Sequence, residues 1–93
     1  DWSSDRRSSD LYAHRLELAP HCGGSAISFQ AARTLAFASP AGVLVEVPMG
    51  GAPLLREMAA IDLALHDGML RPPTGPGFGV VPDPAFVRRC TVT

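Results

Sequence analysis

Residues 16–25 read Leu16-Glu17-Leu18-Ala19-Pro20-His21-Cys22-Gly23-Gly24-Ser25. A short apolar run ends in Pro-His, two glycines and a serine come next, and an alanine-rich helical pattern then begins. This order predicts a strand over residues 16–19 whose C-terminal tip carries His21, followed by a tight loop and a helix. In α/β barrels the reactive side chains lie at the C-terminal tips of the strands. The stretch therefore makes His21 a candidate proton-transfer residue.

A helix and a second strand are predicted directly after this stretch. Ser25 is a suitable N-cap, because its hydroxyl can accept hydrogen bonds from free amides of the first helical turn. The helix is predicted over residues 26–39, and Pro40 ends it. Its predicted apolar stripe consists of Ile27, Ala31, Leu35 and Ala38. Its polar residues Gln30, Arg33 and Thr34 are predicted to lie on another side.

The run at residues 43–47 contains three β-branched valines and a leucine, which is typical of a strand covered on both faces. Its one charged residue, Glu46, lies near the C-terminal tip. Strand, helix and strand in this order predict an α/β fold with a right-handed crossover and a parallel pair. Two parallel strands cannot form a covered sheet, so this unit requires further strands beside it.

The segment after residue 47 is predicted to be irregular. Residues 48–53 form a loop and residues 54–60 a short helical turn, and Asp67-Gly68 is a hairpin signal between residues 61–65 and 69–71. The glycines of residues 75–79 suggest backbone positions that a side chain would obstruct, with Phe78 as the apolar anchor of that loop. Asp83-Pro84 can begin a last helical turn. Three segments result: a polar lead-in, either native or non-native (1–10), a strand–helix–strand unit (11–47) and a tail (48–93).

Composition excludes several classes of function. The net charge is −1, there is no lysine, and no basic run exceeds two arginines, so nucleic-acid binding is unsupported. No apolar run approaches the length of a membrane span, and no secretory signal is visible. Cys22 and Cys90 could form one disulfide or remain two free thiols, and two cysteines without a secretory signal favour a cytoplasmic location. The lack of an initiator methionine predicts a fragment or a processed piece.

Other chemistry near His21 has weaker support. Cys22 beside it invites a zinc site, but adjacent strand residues point apart, and the chain has no Cys-x-x-Cys or His-x-x-x-His pair. The spacing of the cysteine, histidine and glutamate residues does not support a thiol hydrolase. Gly23-Gly24-Ser25 before a helix suits either an anion site or a simple chain turn. His14 and His66 are predicted to be surface residues.

Three segments together resemble the C-terminal part of an enolase-superfamily enzyme of the mandelate racemase/muconate lactonizing type. They are residues 19–27 (Ala-Pro-His-Cys-Gly-Gly-Ser-Ala-Ile), residues 45–51 (Val-Glu-Val-Pro-Met-Gly-Gly), and a tail of Asp67-Gly68-Met69-Leu70-Arg71-Pro72-Pro73 followed by Gly75-Pro76-Gly77-Phe78-Gly79-Val80. The resemblance covers roughly residues 11–87. It implies a TIM-type (β/α) barrel closed by an α+β cap domain, with residues 16–21 and 43–47 as its seventh and eighth strands, and a tail that returns to complete the cap.

The resemblance also implies roles for two residues. A histidine at the tip of the seventh strand is a general base that removes the proton α to a carboxylate, paired with an Asp on the sixth strand, and His21 occupies that position. A Glu at the tip of the eighth strand can hydrogen-bond the substrate carboxylate, and Glu46 occupies that position. The Mg²⁺ ligands of the family lie on the third to fifth strands, so this chain contains neither them nor the Asp partner.

The sequence thus predicts the C-terminal portion of a Mg²⁺-dependent lyase or isomerase that acts on a carboxylate, an acid-sugar dehydratase or a racemase or epimerase. Its expected partners are the remainder of the barrel and cap, an acid-sugar substrate and other copies of the full-length enzyme in a homo-oligomer. The isolated 93 residues are not expected to be active. The alternative is a non-catalytic truncated remnant or interaction fragment. The sequence does not distinguish dehydration from racemisation or identify the acid.

Overall fold

The computed structural model describes residues 10–50 and 52–92. Within these residues there are three main helices. They are α1 (Ala26–Ala38), α2 (Pro53–Arg56) and α3 (Pro84–Cys90). Residues 10–13 are also helical, and a turn follows at residues 14–15, where Arg15 has φ of +57°. The predictions for the polar lead-in over residues 1–9, and for Gly51 and Thr93, lie outside the described residues.

Helix α1 begins where its sequence predicts and ends one residue earlier than predicted, with both ends capped. The Ser25 hydroxyl accepts a hydrogen bond from the Ser28 amide at 3.2 Å, and the Ser28 hydroxyl accepts one from the Ser25 amide at 3.0 Å. This reciprocal capping box satisfies two otherwise free amides. At the other end, the Ser39 amide donates to the Leu35 carbonyl. The caps fix where α1 starts relative to His21.

The predicted buried face of α1 is wrong. The helix buries Ala26, Phe29, Gln30, Arg33 and Ala36. Ile27, from the predicted apolar stripe, is instead 37% exposed. The polar residues turn inward because the tail supplies backbone carbonyls for them, and these partners are too distant in sequence for a helical pattern to reveal.

Gln30 and Arg33 form a carbonyl clamp, meaning the two side chains together with the tail carbonyls that they bind. The Arg33 guanidinium donates through Nε to the Arg71 carbonyl at 2.8 Å and through Nη1 to the Asp62 carbonyl at 2.7 Å, and Nη2 also reaches the Arg71 carbonyl. Gln30 Nε2 donates to the Phe78 carbonyl at 3.2 Å, and Gln30 Oε1 accepts from Arg33 Nη1 at 3.3 Å. The clamp therefore holds the tail at three separate points.

The two predicted parallel strands meet at a single bridge between Leu18 and Gly42. The Leu18 amide donates to the Ala41 carbonyl at 2.7 Å, and the Leu18 carbonyl accepts from the Val43 amide at 3.1 Å. The predicted strands over residues 16–21 and 43–47 are thus corrected to extended arms around one bridge. The next ladder bond would need an amide hydrogen on Pro20, which proline lacks.

The hairpin signal in the tail is confirmed as a tight turn. His66 and Met69 exchange both backbone hydrogen bonds at 2.9 Å, and Asp67 and Gly68 have φ of +53° and +76°. Positive φ at both central residues is the type I′ geometry that suits a two-residue hairpin. The predicted strands on either side form only this one antiparallel bridge.

The core of the described residues lies between α1, α2 and the segment around the loop after His21. Cys22, Phe29 and Leu55 form its buried cluster. Partly buried apolar residues pack against this cluster: Ala32, Val45, Val47, Ile61, Leu63 and Leu70. Of the helices in the described part of the chain, none combines the length and apolar character that a membrane span needs.

The loop at residues 75–79 is held through its backbone, by the bond from the Gly79 amide to the Pro76 carbonyl and by the bond from Gln30 to the Phe78 carbonyl. The Phe78 side chain is 47% exposed and so does not anchor the loop as predicted. Gly79 has φ of +64°, and a Cβ there would lie 2.1 Å from the Thr74 carbonyl oxygen. Gly77 has a similar φ of +61°, but a Cβ there would meet nothing within 4 Å. A side chain at Gly77 would therefore cause backbone strain alone, whereas one at Gly79 would cause backbone strain and steric overlap.

We expect Gly79→Ala to lower the free energy of unfolding by about 3 kcal/mol, because it combines positive-φ strain with a clash against backbone. Gly77→Ala is the matched control and should cost only about 1 kcal/mol, for the strain alone. Chemical denaturation of the full-length protein and both variants measures the difference. Equal losses for the two variants would contradict the close approach at Gly79.

Candidate active site

His21 and Glu46, the two residues predicted for the site, contact each other. His21 Nδ1 lies 2.8 Å from Glu46 Oε2. The side chains are 85% and 53% exposed, so the pair faces open space on the described part of the chain. The other ring nitrogen, Nε2, has no hydrogen-bond partner within the described ranges. The imidazole is thus held by one nitrogen and accessible at the other.

The break in the ladder at Pro20 allows this contact. With Leu18 opposite Gly42, an unbroken parallel ladder would put His21 opposite Val45 and turn Glu46 to the other face of the sheet. Beyond Pro20 the two arms are no longer constrained by ladder bonds. His21 and Glu46 can therefore turn toward each other from neighbouring arms.

Glu46 also binds the backbone next to His21. The Cys22 amide donates to Glu46 Oε2 at 3.4 Å, the same oxygen that contacts the imidazole. Cys22 is only 3% exposed and belongs to the core cluster with Phe29 and Leu55, so this amide is fixed by packing. The glutamate is thereby tied to a rigid part of the molecule.

The thiol of Cys22 is not set up as a nucleophile. Burial raises its pKa above the ordinary value, and the nearby charge of Glu46 adds to this effect. A protonated, buried thiol is a poor nucleophile and a poor metal ligand. Cys22 and Cys90 are both free, so of the two alternatives open in the sequence, the structure has two thiols and no disulfide.

The described residues do not form a metal site. They contain no group of three or more His, Cys, Asp or Glu side chains placed to hold an ion. His14 and His66 are exposed, and within the described residues neither is a partner of His21 or Glu46. A Mg²⁺ ion, which the resemblance implies, therefore does not fit the residues present here.

An apolar groove of about 530 Å³ lies beside the site but does not include His21 or Glu46. Val45 and Val47, which flank Glu46 in sequence, line it. Its other lining residues are Ala36, Phe37, Gly42, Val43, Leu44, Met49, Leu65, Gly68, Met69 and Leu70. Several of these are large and well exposed, Leu44 and Met69 at 68% and Met49 at 86%.

Two features of this region were missed by sequence reasoning. Neither the bond between Glu46 and the Cys22 amide nor the carbonyl clamp was predicted. The sequence did partly indicate the carbonyl clamp. Ala26, Phe29, Arg33 and Ala36 share one helical face, and Arg33 is the only charged residue on that face. The role of the Cys22 amide could not be found from the sequence, because every residue except proline carries a backbone N–H donor.

Comparison with known proteins identifies a family and a similar solved structure. The family described as "Enolase C-terminal domain-like" matches residues 11–86. A crystal structure of a candidate mandelate racemase from Bordetella bronchiseptica RB50, complexed with 2-oxoglutarate/phosphate, superposes with a TM-score of 0.86 at 30% sequence identity. The match covers 92% of this chain but only 23% of that one. No curated protein matches the chain.

Proposed function

The chain belongs to the enolase superfamily as a C-terminal part, and from this premise we propose that it supplies the general base of a Mg²⁺-dependent enzyme that removes the proton α to a carboxylate. The enzyme is an acid-sugar dehydratase or a racemase or epimerase. His21 is the base, and Glu46 is the second site residue. The similar B. bronchiseptica protein is complexed with 2-oxoglutarate/phosphate. 2-Oxoglutarate is a carboxylate whose α carbon is a carbonyl, so it belongs to the 2-keto acids, the product class of the proposed dehydratase.

One observation carries the proposal: the contact of 2.8 Å between His21 Nδ1 and Glu46 Oε2, with Nε2 left accessible. A general base must present a lone pair to the substrate and be held in one orientation. Imidazole is suited to this chemistry near neutral pH. The fold brings the pair together from two arms that are adjacent at the Leu18–Gly42 bridge.

The proposed reaction begins with proton removal by His21. The Nε2 lone pair of His21 takes the α proton, the C–H bond breaks, and its electron pair moves into the carboxylate to give an enediolate. In a racemase or epimerase, a proton from solvent or from an acid of the longer protein adds to the opposite face of the same carbon, and the electron pair of the enediolate forms the new C–H bond. In a dehydratase, the β hydroxyl leaves with a proton as water, and the resulting enol becomes a 2-keto acid.

The negative charge of an enediolate needs strong electrostatic stabilisation. His21 and Glu46 do not supply it, and the described residues form no metal site. We assign this part to Mg²⁺ bound by residues of the longer protein, since the chain spans 23% of the similar structure. The full activity therefore depends on segments beyond these 93 residues.

The apolar groove supports the proposal that the rest of a TIM-type barrel and its cap cover this part. Val43 and Leu44 are 50% and 68% exposed on the second arm, although both are apolar residues that suit a covered strand. The amides and carbonyls beyond the single bridge also suit pairing with neighbouring strands. Homo-oligomerisation of the full-length enzyme stays a prediction.

The direct test is exchange of the α proton. We expect the full-length protein that contains this segment, supplied with Mg²⁺ in D₂O, to incorporate deuterium into at least one acid in a panel of acid sugars or into its product. Deuterium enters at the α carbon when the product is a stereoisomer and at the β carbon when an enol becomes a 2-keto acid, so its position separates the two reactions. A folded, Mg²⁺-loaded protein that exchanges none of the panel would favour the alternative of a non-catalytic remnant.

A further inference from the structure

We propose that residues 61–82 form a strap that docks on α1 and leaves it as one unit, with the carbonyl clamp as its latch and the bond between residues 58 and 83 as its hinge. The Asp83 amide donates to the Met58 carbonyl at 2.7 Å, so the two ends of the strap meet at one place. Helices α2 and α3 lie outside the strap, so opening about this hinge leaves both of them intact. The proposal concerns a motion of the fold and does not depend on the proposed function.

The strap is attached to the other described residues by few interactions. Every hydrogen bond between it and these residues is donated by Gln30 or Arg33. The strap itself contains no helix, and its only bridge joins His66 to Met69. None of its residues is fully buried, whereas Arg33 and Gln30 are 2% and 3% exposed. Segments with few buried contacts of their own open most easily, so the clamp determines how often the strap opens.

The clamp couples distant parts of the strap. The single guanidinium of Arg33 binds the carbonyls of Asp62 and Arg71, which lie on either side of the hairpin turn. Its Nη1 also donates to Gln30 Oε1 at 3.3 Å, and Gln30 holds the Phe78 carbonyl further along the strap. A partly satisfied buried polar network is costly, so the loss of one of these bonds weakens the case for keeping the others. The three attachment points should therefore release together and not one at a time.

Opening of the strap uncovers part of the core. The buried cluster that contains Cys22 is packed against three strap residues: Ile61, Leu63 and Leu70. The strap also contributes Leu65 and Met69 to the lining of the apolar groove. Cys22 is 3% exposed while the strap is docked, and opening should give a thiol reagent access to it.

The rate at which a maleimide modifies Cys22 in the folded full-length protein therefore measures opening, with the modified residue identified by mass spectrometry. Gln30→Met removes the bond to the Phe78 carbonyl, and Arg33→Lys removes the planar fork that joins the two sides of the hairpin. We expect each variant to raise the Cys22 rate about ten-fold or more, because one lost hydrogen bond to a buried partner shifts an opening equilibrium by that order. Gln30→Met decides the question alone if Arg33→Lys does not fold.

Two controls separate opening from a general change in reactivity. Cys90 is an exposed thiol outside the strap, so it should react at the same rate in every variant. Arg56→Lys is matched to Arg33→Lys, but Arg56 is exposed and binds the Pro48 carbonyl outside the strap. It should leave the Cys22 rate unchanged.

Gln30→Met also tests whether the strap opens as one unit. Gln30 binds the strap at residues 78–79, whereas the cover of the Cys22 cluster comes from residues 61–70, so a faster Cys22 rate in this variant requires both regions to open together. In the wild type, the open fraction derived from Cys22 should exceed that derived from hydrogen exchange of the Phe29 amide by about ten-fold or more, since α1 stays folded when the strap opens. An unchanged Cys22 rate in Gln30→Met, or equal open fractions for Cys22 and Phe29, would overturn the proposal.

Discussion

His21→Asn should reduce α-proton exchange by the full-length protein by roughly 10³-fold or more, because it removes the only ring nitrogen that is free to accept a proton in the described site. Asparagine retains a side-chain amide that can still donate to Glu46, so the surrounding contacts have a replacement partner. The measurement is deuterium incorporation into substrate and product under saturating substrate and Mg²⁺. The thermal unfolding midpoint should change little, since the imidazole is 85% exposed.

The matched control is His66→Asn. His66 is an exposed histidine whose backbone, not its ring, makes the turn contact with Met69. It should exchange at the wild-type rate, which excludes a general effect of losing one imidazole. If His21→Asn retained more than a tenth of the activity while staying folded, His21 would not be the base.

The second large effect is expected at Arg33. Arg33→Met should lower the free energy of unfolding by about 3 kcal/mol, because the carbonyls of Asp62 and Arg71 lose their charged donor. Burial lowers the pKa of the Arg33 guanidinium, while the charge of Asp62 acts in the opposite direction. The side chain is only 2% exposed, so solvent can replace its bonds only if the tail moves away from α1. Denaturant unfolding and limited proteolysis within residues 62–79 measure both consequences.

Arg56→Met is the control, because Arg56 is an exposed arginine with one bond of 3.1 Å to the Pro48 carbonyl. It should change stability by less than about 0.5 kcal/mol. Arg33→Lys should recover only part of the loss, since one ammonium cannot reproduce the planar fork that reaches two carbonyls. An Arg33→Met protein as stable and as protease-resistant as the wild type would mean that the carbonyl clamp contributes nothing net, as can happen when a buried charge is replaced by an apolar side chain.

Sequence patterns correctly predicted those parts of the structure that depend on contacts between residues close in sequence. The start of α1 follows from Ser25 and Ser28, which complete a capping box within four residues. The turn at Asp67-Gly68 follows from two residues that tolerate positive φ. The start of α3 follows from Asp83, whose carboxylate accepts from the amides of Ala85 and Phe86.

The interior could not be predicted in the same way, because it depends on partners distant in sequence. A helical pattern classifies Gln30 and Arg33 as polar and assigns them to solvent, yet carbonyls of the tail satisfy both inside. A strand pattern at residues 16–19 and 43–47 likewise does not register that Pro20 removes the next ladder bond. Family membership was recognisable from sequence because it depends on motifs, and these include His21 and Glu46. The contact between His21 and Glu46 could not be predicted from the sequence, because a regular parallel ladder would have placed the two side chains on opposite faces of the sheet.

The bridge between Leu18 and Gly42 has a consequence for the genetics of this protein. A Cβ at residue 42 would lie 1.9 Å from the Ala36 carbonyl oxygen and 2.7 Å from its carbon, both in the backbone of α1. Every missense change of a glycine codon introduces a Cβ, so none is accommodated unless the end of α1 moves. Since the same residue aligns the arm that carries Glu46 with the arm that carries His21, the codon for a residue with no side chain should be as intolerant of mutation as the codon for the base itself.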